Sequence, residues 1–338
     1  MNMPQVLVRD VTMVEALNMA LHRAMAESPE VVVFGEDVGV NGGVFRATDH
    51  LREKFGLRHV MDTPLAETVI AGIAVGMAAQ GLRPVAEIQF MGFIHATMEQ
   101  LVCHAARLRN RTRGRLTCPM VLRAPLGGGI RAPEHHSEST EAVFAHIPGL
   151  RVVIPSSPAR AYGMLLSAIR CNDPVIFLEP MRIYRSSRSR VRDDGAGLPI
   201  DLCFTLREGS DLTVVAWGAV LTEVMEVAEN LAKQGIDCEV IDVASIAPLD
   251  KVTLLNSVRK TGRCVIVHEA PGNCGVGAEI SALLSENLFG QLKAPVTRVT
   301  GYDTIMPYFR NEQHYLPGTA RIDAAIKACM ACSAGGAA

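Results

Sequence analysis

The feature that most narrows the fold is a series of short segments with apolar, largely β-branched residues at consecutive positions. "VVVFG" from 31, "PMVLRAP" from 119, "DLTVVAWG" from 211 and "RCVIVHEA" from 263 all read this way. A strand with one wet face alternates apolar and polar residues, so near-continuous apolar strands predict burial on both faces. Between them lie helical patterns. "TMVEALNMALHRAMAESPE" has helical spacing and stops at Ser28-Pro29, and "TVIAGIAVGMAAQG" is a small-residue helix closed by Gly81. "GFIHATMEQLVCHAARLRNRTRG" is predicted to be a helix with a basic end. Strand–helix alternation of this kind implies an α/β fold: mostly parallel sheets covered on both faces by helices.

The chain has 338 residues, enough for two such units rather than one. The pattern lapses in "RIYRSSRSRVRDDGAGLPIDLCFTLREG", which is basic and then marked by Gly and Pro, and resumes after it. This places a first domain at 1–185, a linker at 186–207, a smaller α/β domain at 208–330 and a small-residue tail at 331–338. Only 5% of residues are aromatic while Gly, Ala and Val abound, a mixture suited to close helix-on-sheet packing. A formal charge of -2 gives no reason to expect nucleic acid or an anionic membrane as partner. No stretch reaches the ~20 apolar residues that span a bilayer, and "MNMPQVLVRD" lacks a secretory pattern. Nine scattered cysteines suit a soluble protein of the reducing cytoplasm. Cys329 and Cys332 read as neighbours one turn apart on a last helix rather than as half a zinc or redox site.

Three clusters are candidates for chemistry. In "VIVHEAPGNCGVGAEI" the glycines at 272, 275 and 277 run GxxGxG rather than GxGxxG. A tight turn that lets a helix approach the sheet is therefore expected, with a nicotinamide-dinucleotide site as the rival. "APLGGGIRAPEHHSESTEAVF" is an irregular Gly-rich loop with His135 and His136 ahead of a helix cap at Ser137 or Ser139. On spacing alone its histidines read first as solvated, and second as an imidazole carried into a cleft. The third is Glu67, the one acid in "TPLAETVIAGIAVGMAAQG". It either caps the helix that follows or is a partly desolvated carboxylate bonding a protonated ring nitrogen.

In order along the chain, "GEDVGVNGGVFRAT", "DTPLAETVIAGIAVGMAAQGLRPVAEIQFMGF", "LGGGIRAPEHHSES", "PGLRVVIPSSP", "NDPVIFLEP" and "KTGRCVIVHEA" form a specific set. Together they resemble the β subunit of the thiamin-diphosphate-dependent decarboxylase component of 2-oxo acid dehydrogenase complexes, from about residue 11 to about residue 326. The resemblance implies a pyrimidine-binding domain followed by a transketolase C-terminal-type domain. It implies that Glu67 bonds the N1′ nitrogen of the cofactor's aminopyrimidine, activating the thiazolium carbon. Phe93 would pack on the pyrimidine face, with Gln89 a polar neighbour. His136 would order the bound intermediate and assist acyl transfer to lipoamide, and Glu36 matches an acid buried between paired active sites. A further family acid is missing, because His95 and Ala96 occupy its segment. Many relatives hold a monovalent cation, often potassium, mainly through main-chain carbonyls. "SAIRCNDP" falls at that place, making Ala168, Ile169, Cys171 and Asp173 candidates, with Cys171 where some relatives carry an acid.

The family also needs a GDG motif and an Asn to hold Mg²⁺ on the diphosphate, and only "RDDGAG" occurs here, out of context. The resemblance thus implies that an α subunit supplies the magnesium half, within an α₂β₂ heterotetramer. The implied reaction is oxidative decarboxylation of a small 2-oxo acid with acyl transfer to the lipoyl group of an acyltransferase core. The segments "GFIHATMEQ" and "APEHHSES" lean toward pyruvate over branched-chain substrates, with acetoin cleavage as the alternative.

Overall fold

A computed structural model describes residues 7–332, and the expected tail at 331–338 lies almost wholly outside them. The described chain divides into two compact units. One comprises the residues up to Leu126 together with Val143–Ile200, and the other comprises Gly127–Ala142 together with the residues from Asp201 onward.

The first unit begins with β1 (Leu7–Thr12) and α1 (Met13–Glu27). Thr12 and Glu15 form a capping box: the Thr12 hydroxyl accepts from the Glu15 amide, and the Glu15 carboxylate accepts from the Thr12 amide. There follow β2 (Val31–Gly35), α2 (Leu51–Phe55), β3 (Val60–Asp62), α3 (Glu67–Ala79) and β4 (Arg83–Glu87). Next come α4 (Leu108–Arg111), β5 (Val121–Leu126), α5 (Glu141–Ala145), β6 (Arg151–Val153), α6 (Pro158–Arg170), β7 (Val175–Pro180) and β8 (Arg188–Asp193). α5 spans the point where the chain returns to this unit, and it starts later than the cap expected at Ser137 or Ser139.

Six strands of this unit lie in the order β6-β7-β5-β4-β2-β3, every pair parallel. All residues of β2, β5 and β7 are buried, as their near-continuous apolar runs lead one to expect. The expected helix after Phe93 is instead a broken helical run. A 3₁₀ stretch at Met91–Thr97 and a π turn at Gln100–His104 precede α4. The Thr97 hydroxyl donates to the Ile94 carbonyl at 2.6 Å, a side-chain bond that competes with regular helix pairing.

The segment 186–207, expected to be a linker, carries two strands. β8 pairs antiparallel with β1 in the first unit. Its arginines at 188, 190 and 192 are exposed while Val191 is buried, the alternation of a one-faced ribbon. The other strand, β9 (Phe204–Arg207), belongs to the second unit.

The second unit continues with β10 (Leu212–Ala216), α7 (Leu221–Ala232), β11 (Cys238–Asp242), β12 (Ser245–Ala247), α8 (Lys251–Thr261) and β13 (Cys264–Pro271). It ends with α9 (Val276–Leu288), β14 (Thr297–Gly301), α10 (Glu312–Tyr315) and α11 (Thr319–Ala331). Its sheet has the order β14-β13-β10-β11-β9, parallel except for β9 against β11. Val214, Val240, Val265 and Val267 of the sheet pack with Val224 and Ala228 of α7 and Ile322 and Ile326 of α11.

The late glycines serve this packing. A Cβ on Gly277 would lie 2.5 Å from Nε2 of His268, so only glycine lets α9 sit so close to β13. His268 is fully buried and stacks on Trp217, ring centroids 4.9 Å apart at 12°. Cys329 is buried in α11 and Cys332 is exposed just beyond it, both as free thiols.

Candidate active site

Parallel pairing of β3, β2 and β4 gathers three connections at one sheet end. Gly35 stands opposite both Asp62 and Glu87, so the residues that follow each strand leave from neighbouring positions. In a parallel α/β sheet the carboxyl ends of the strands are where ligands bind. Glu36 follows β2, Glu67 opens α3 after β3, and Gln89 and Phe93 follow β4.

Glu67 is half-buried at the first position of α3, where the N-terminal end of the helix favours a negative charge. Glu36 is 3% exposed, and the Ala66 amide donates to its carboxylate while its Oε1 has no partner. Burial pushes the Glu36 carboxyl above the usual range, and the charges of Glu67 and Asp37 push it further the same way. The two glutamates thus form a pair that shares one field: the deeper acid is biased to keep its proton and the outer one remains accessible.

Gln89 donates from Nε2 to the Asp37 carboxylate at 3.2 Å. Phe93 is half-buried and meets Phe90 edge-on at 6.3 Å. Thr68, next to Glu67, donates to the Ala96 carbonyl at 2.6 Å and so ties the start of α3 to the turn bearing Phe93. A separate apolar cleft of about 210 Å³ lies between Phe34, Met61, Pro64, Val69, Ile73 and Met77, and neither Glu67 nor Phe93 lines it.

His136 belongs to the second unit, in the loop Gly127–Ala142. It is half-buried, and its ring centroid lies 4.2 Å from that of the exposed His135. Burial, and then the charge of His135, lower the His136 pKa and favour a neutral imidazole. The glycines of this loop are not left open for a phosphate. The Gly128 amide donates to the Glu269 carboxylate, and those of Gly129 and Arg131 donate to Glu312 at 2.7 and 3.1 Å.

Residues 9–187 match the transketolase pyrimidine-binding domain and residues 203–322 match the transketolase C-terminal domain. A protein of Acholeplasma laidlawii named pyruvate dehydrogenase E1 component subunit beta is 49% identical over 94% of this chain and 97% of its own. Its namesake in Staphylococcus epidermidis is 45% identical over 95% of this chain and 98% of its own. The chain belongs to the β-subunit family of the pyruvate dehydrogenase E1 component. A split-gene transketolase, solved as an inactive β4 tetramer, shares the fold with a TM-score of 0.79 at 22% identity, covering 96% of this chain and all of that one.

Thiamin diphosphate is the cofactor of this family, and the strand-end group fits its pyrimidine half: an accessible carboxylate beside a buried acid, with an aromatic ring at hand. The diphosphate half is different. Among the described residues no group of three or more His, Cys, Asp or Glu is placed to hold a metal ion. The loop expected to bind potassium also fits poorly. Arg83 donates from Nη1 to the carbonyls of Ile169 and Cys171 at 2.9 and 3.1 Å, and the Ala168 carbonyl accepts from the Cys171 amide. The Asp173 carboxylate pairs with Arg109 at 2.7 Å. An internal guanidinium therefore supplies the positive charge at these carbonyls. No helix among the described residues is long and apolar enough to cross a membrane.

Sequence reasoning missed the buried ion cluster one strand away. Arg123, 1% exposed, makes a two-point contact with Glu179 at 2.6 and 3.0 Å and reaches Glu87 at 2.7 Å. The Tyr184 hydroxyl donates to Glu179 at 2.6 Å. The signal was present: one charge stands inside each of the otherwise apolar strands "PVAE", "VLRAPL" and "VIFLEP".

Proposed function

We propose that this chain is the β subunit of a thiamin-diphosphate-dependent 2-oxo acid dehydrogenase that acts on pyruvate and works only with an α subunit. The supporting observation is the strand-end pair, a half-buried Glu67 beside a buried Glu36 whose pKa is raised by burial and by the charge of Glu67. When bound, thiamin diphosphate supplies the nucleophilic carbon that lets a 2-oxo acid lose carbon dioxide. Glu67 would hold a proton between its carboxylate and the N1′ position of the aminopyrimidine, a charge-assisted hydrogen bond stronger than a neutral one. Phe93 packs against the pyrimidine face, and Gln89 fixes the polar rim through Asp37.

The α subunit provides magnesium and the diphosphate site, in an α₂β₂ assembly. This agrees with the exposed apolar side chains of Leu65, just before α3, and of Val69 and Ile73 within it, which suit burial against another chain. His136, biased toward its neutral form, serves as the acid–base and orienting group when the acyl unit passes to the lipoyl group of the acyltransferase core.

The test is the α–β pair assayed with pyruvate, a branched 2-oxo acid and acetoin. Pyruvate is expected to be turned over fastest, and only by the pair. Glu67→Gln should lower its turnover by at least ~10²-fold. Full activity of that variant would refute the role of Glu67, and faster turnover of acetoin would replace the substrate.

A further inference from the structure

The loop Gly127–Ala142 contains three residues in the left-handed region, Gly127, Gly129 and Arg131, at φ +84°, +90° and +61°. Alternating conformations of this type turn successive amides toward one side and create a concave anion site. Here the anion is a side chain of the protein. Glu312 is 3% exposed at the start of α10, and Gly129 and Arg131 donate to its two oxygens. No lysine or arginine pairs with Glu312 among the described residues. Its desolvation is thus offset by amides of this loop. Glu269 accepts from Gly128, and the Tyr308 hydroxyl bonds the Glu134 side chain. A Gly-rich loop is conformationally free by itself, so these contacts select one shape for it.

From this geometry we infer that Glu312 is a positioning residue, which holds the loop in the shape that presents His136 for acyl transfer. The inference rests on the role proposed for His136. The Glu312 carboxylate fixes the amides of 129 and 131, and the following turn carries the imidazole. The Ser137 amide donates to the Glu134 carbonyl at 3.0 Å and the His136 amide to that of Pro133 at 3.0 Å, so His136 sits in a hydrogen-bonded turn that begins two residues after Arg131. Placement errors of about 1 Å in such groups lower rates by up to ~10²-fold.

The experiment uses the α–β complex carrying Glu312→Ala, Glu312→Gln, His136→Ala and the double variant Glu312→Ala/His136→Ala. Glu312→Ala should reduce kcat/KM for pyruvate with the lipoyl acceptor by ~10- to ~10²-fold, and Glu312→Gln, which keeps an accepting oxygen, by less. In the His136→Ala background the Glu312→Ala loss should shrink below ~2-fold, because the histidine through which it acts is gone. Hydrogen exchange at amides 128–131 should quicken in Glu312→Ala, a readout that does not depend on turnover. Unchanged exchange, or an equal loss in both backgrounds, overturns the inference while leaving the proposed function standing. Full activity of His136→Ala would instead overturn the role given to that histidine, and this inference with it.

Discussion

Acidification should destabilise the second unit through one residue. His268 is fully buried, neither ring nitrogen has a hydrogen-bond partner in good geometry, and burial pulls its pKa from 6.5 down to about 4. The folded chain therefore keeps the imidazole neutral while the unfolded chain takes up a proton near pH 6.5. The stability it supports is complete above that value and is lost as pH falls toward 4. A gap of about 2.5 units at ~1.4 kcal/mol each gives roughly 3 kcal/mol, fully lost only below the folded value.

Trp217, the single tryptophan, stacks on this ring, so its fluorescence reports the transition directly. Urea denaturation should be followed between pH 7.5 and pH 4 for the natural chain and for His268→Leu. Glu141, buried beside Trp217 with its pKa raised by burial, acts in the opposite sense: its contribution falls as pH rises past the ordinary carboxylate range. Glu141 is present in both proteins and cancels in their difference, whereas the nearby charge of Arg298, which helps lower the His268 pKa, belongs to that difference. The natural chain should lose ~3 kcal/mol more than the variant on acidification. Parallel pH profiles for the two would refute the reasoning.

Two further predictions concern the first unit. Arg123→Met leaves Glu87 and Glu179 buried without their cation and should cost ~3–5 kcal/mol, read as a lower urea midpoint; an unchanged midpoint would show that the carboxylates do not depend on it. Because Arg83 occupies the carbonyls of Ile169 and Cys171, exchanging potassium for choline at constant ionic strength should leave the melting temperature unchanged. A potassium-dependent rise would restore the cation site.

The sheets, their parallel sense and the boundary helices were legible because they follow from local pattern. "VVVFG" is buried at every position and becomes a central strand, while Pro29 and Gly81 stop helices where their backbone chemistry predicts. Glu67 stood out because an acid beside so apolar a helix needs a reason. Other features depend on residues far apart in sequence. Nothing near Arg188 announces β1, some 178 residues earlier, as its pairing partner. Nothing in "LGGGIRAP" announces Glu269 and Glu312, which are what give that loop its shape. The run after Phe93 has helical spacing, but hydroxyl bonding at Thr97 accompanies its division into shorter pieces.

The chain enters the second unit twice, since Gly127–Ala142 is contributed by the first half of the sequence. A protein cut anywhere between 186 and 207 would not yield two whole bodies. The fragment from 203 onward would lack the amides that hydrogen-bond Glu312 and the carboxylate that receives the Trp217 indole. Such a piece should fold poorly on its own. Dissecting this subunit calls for rejoining the borrowed loop to the later segment, not for a single scission.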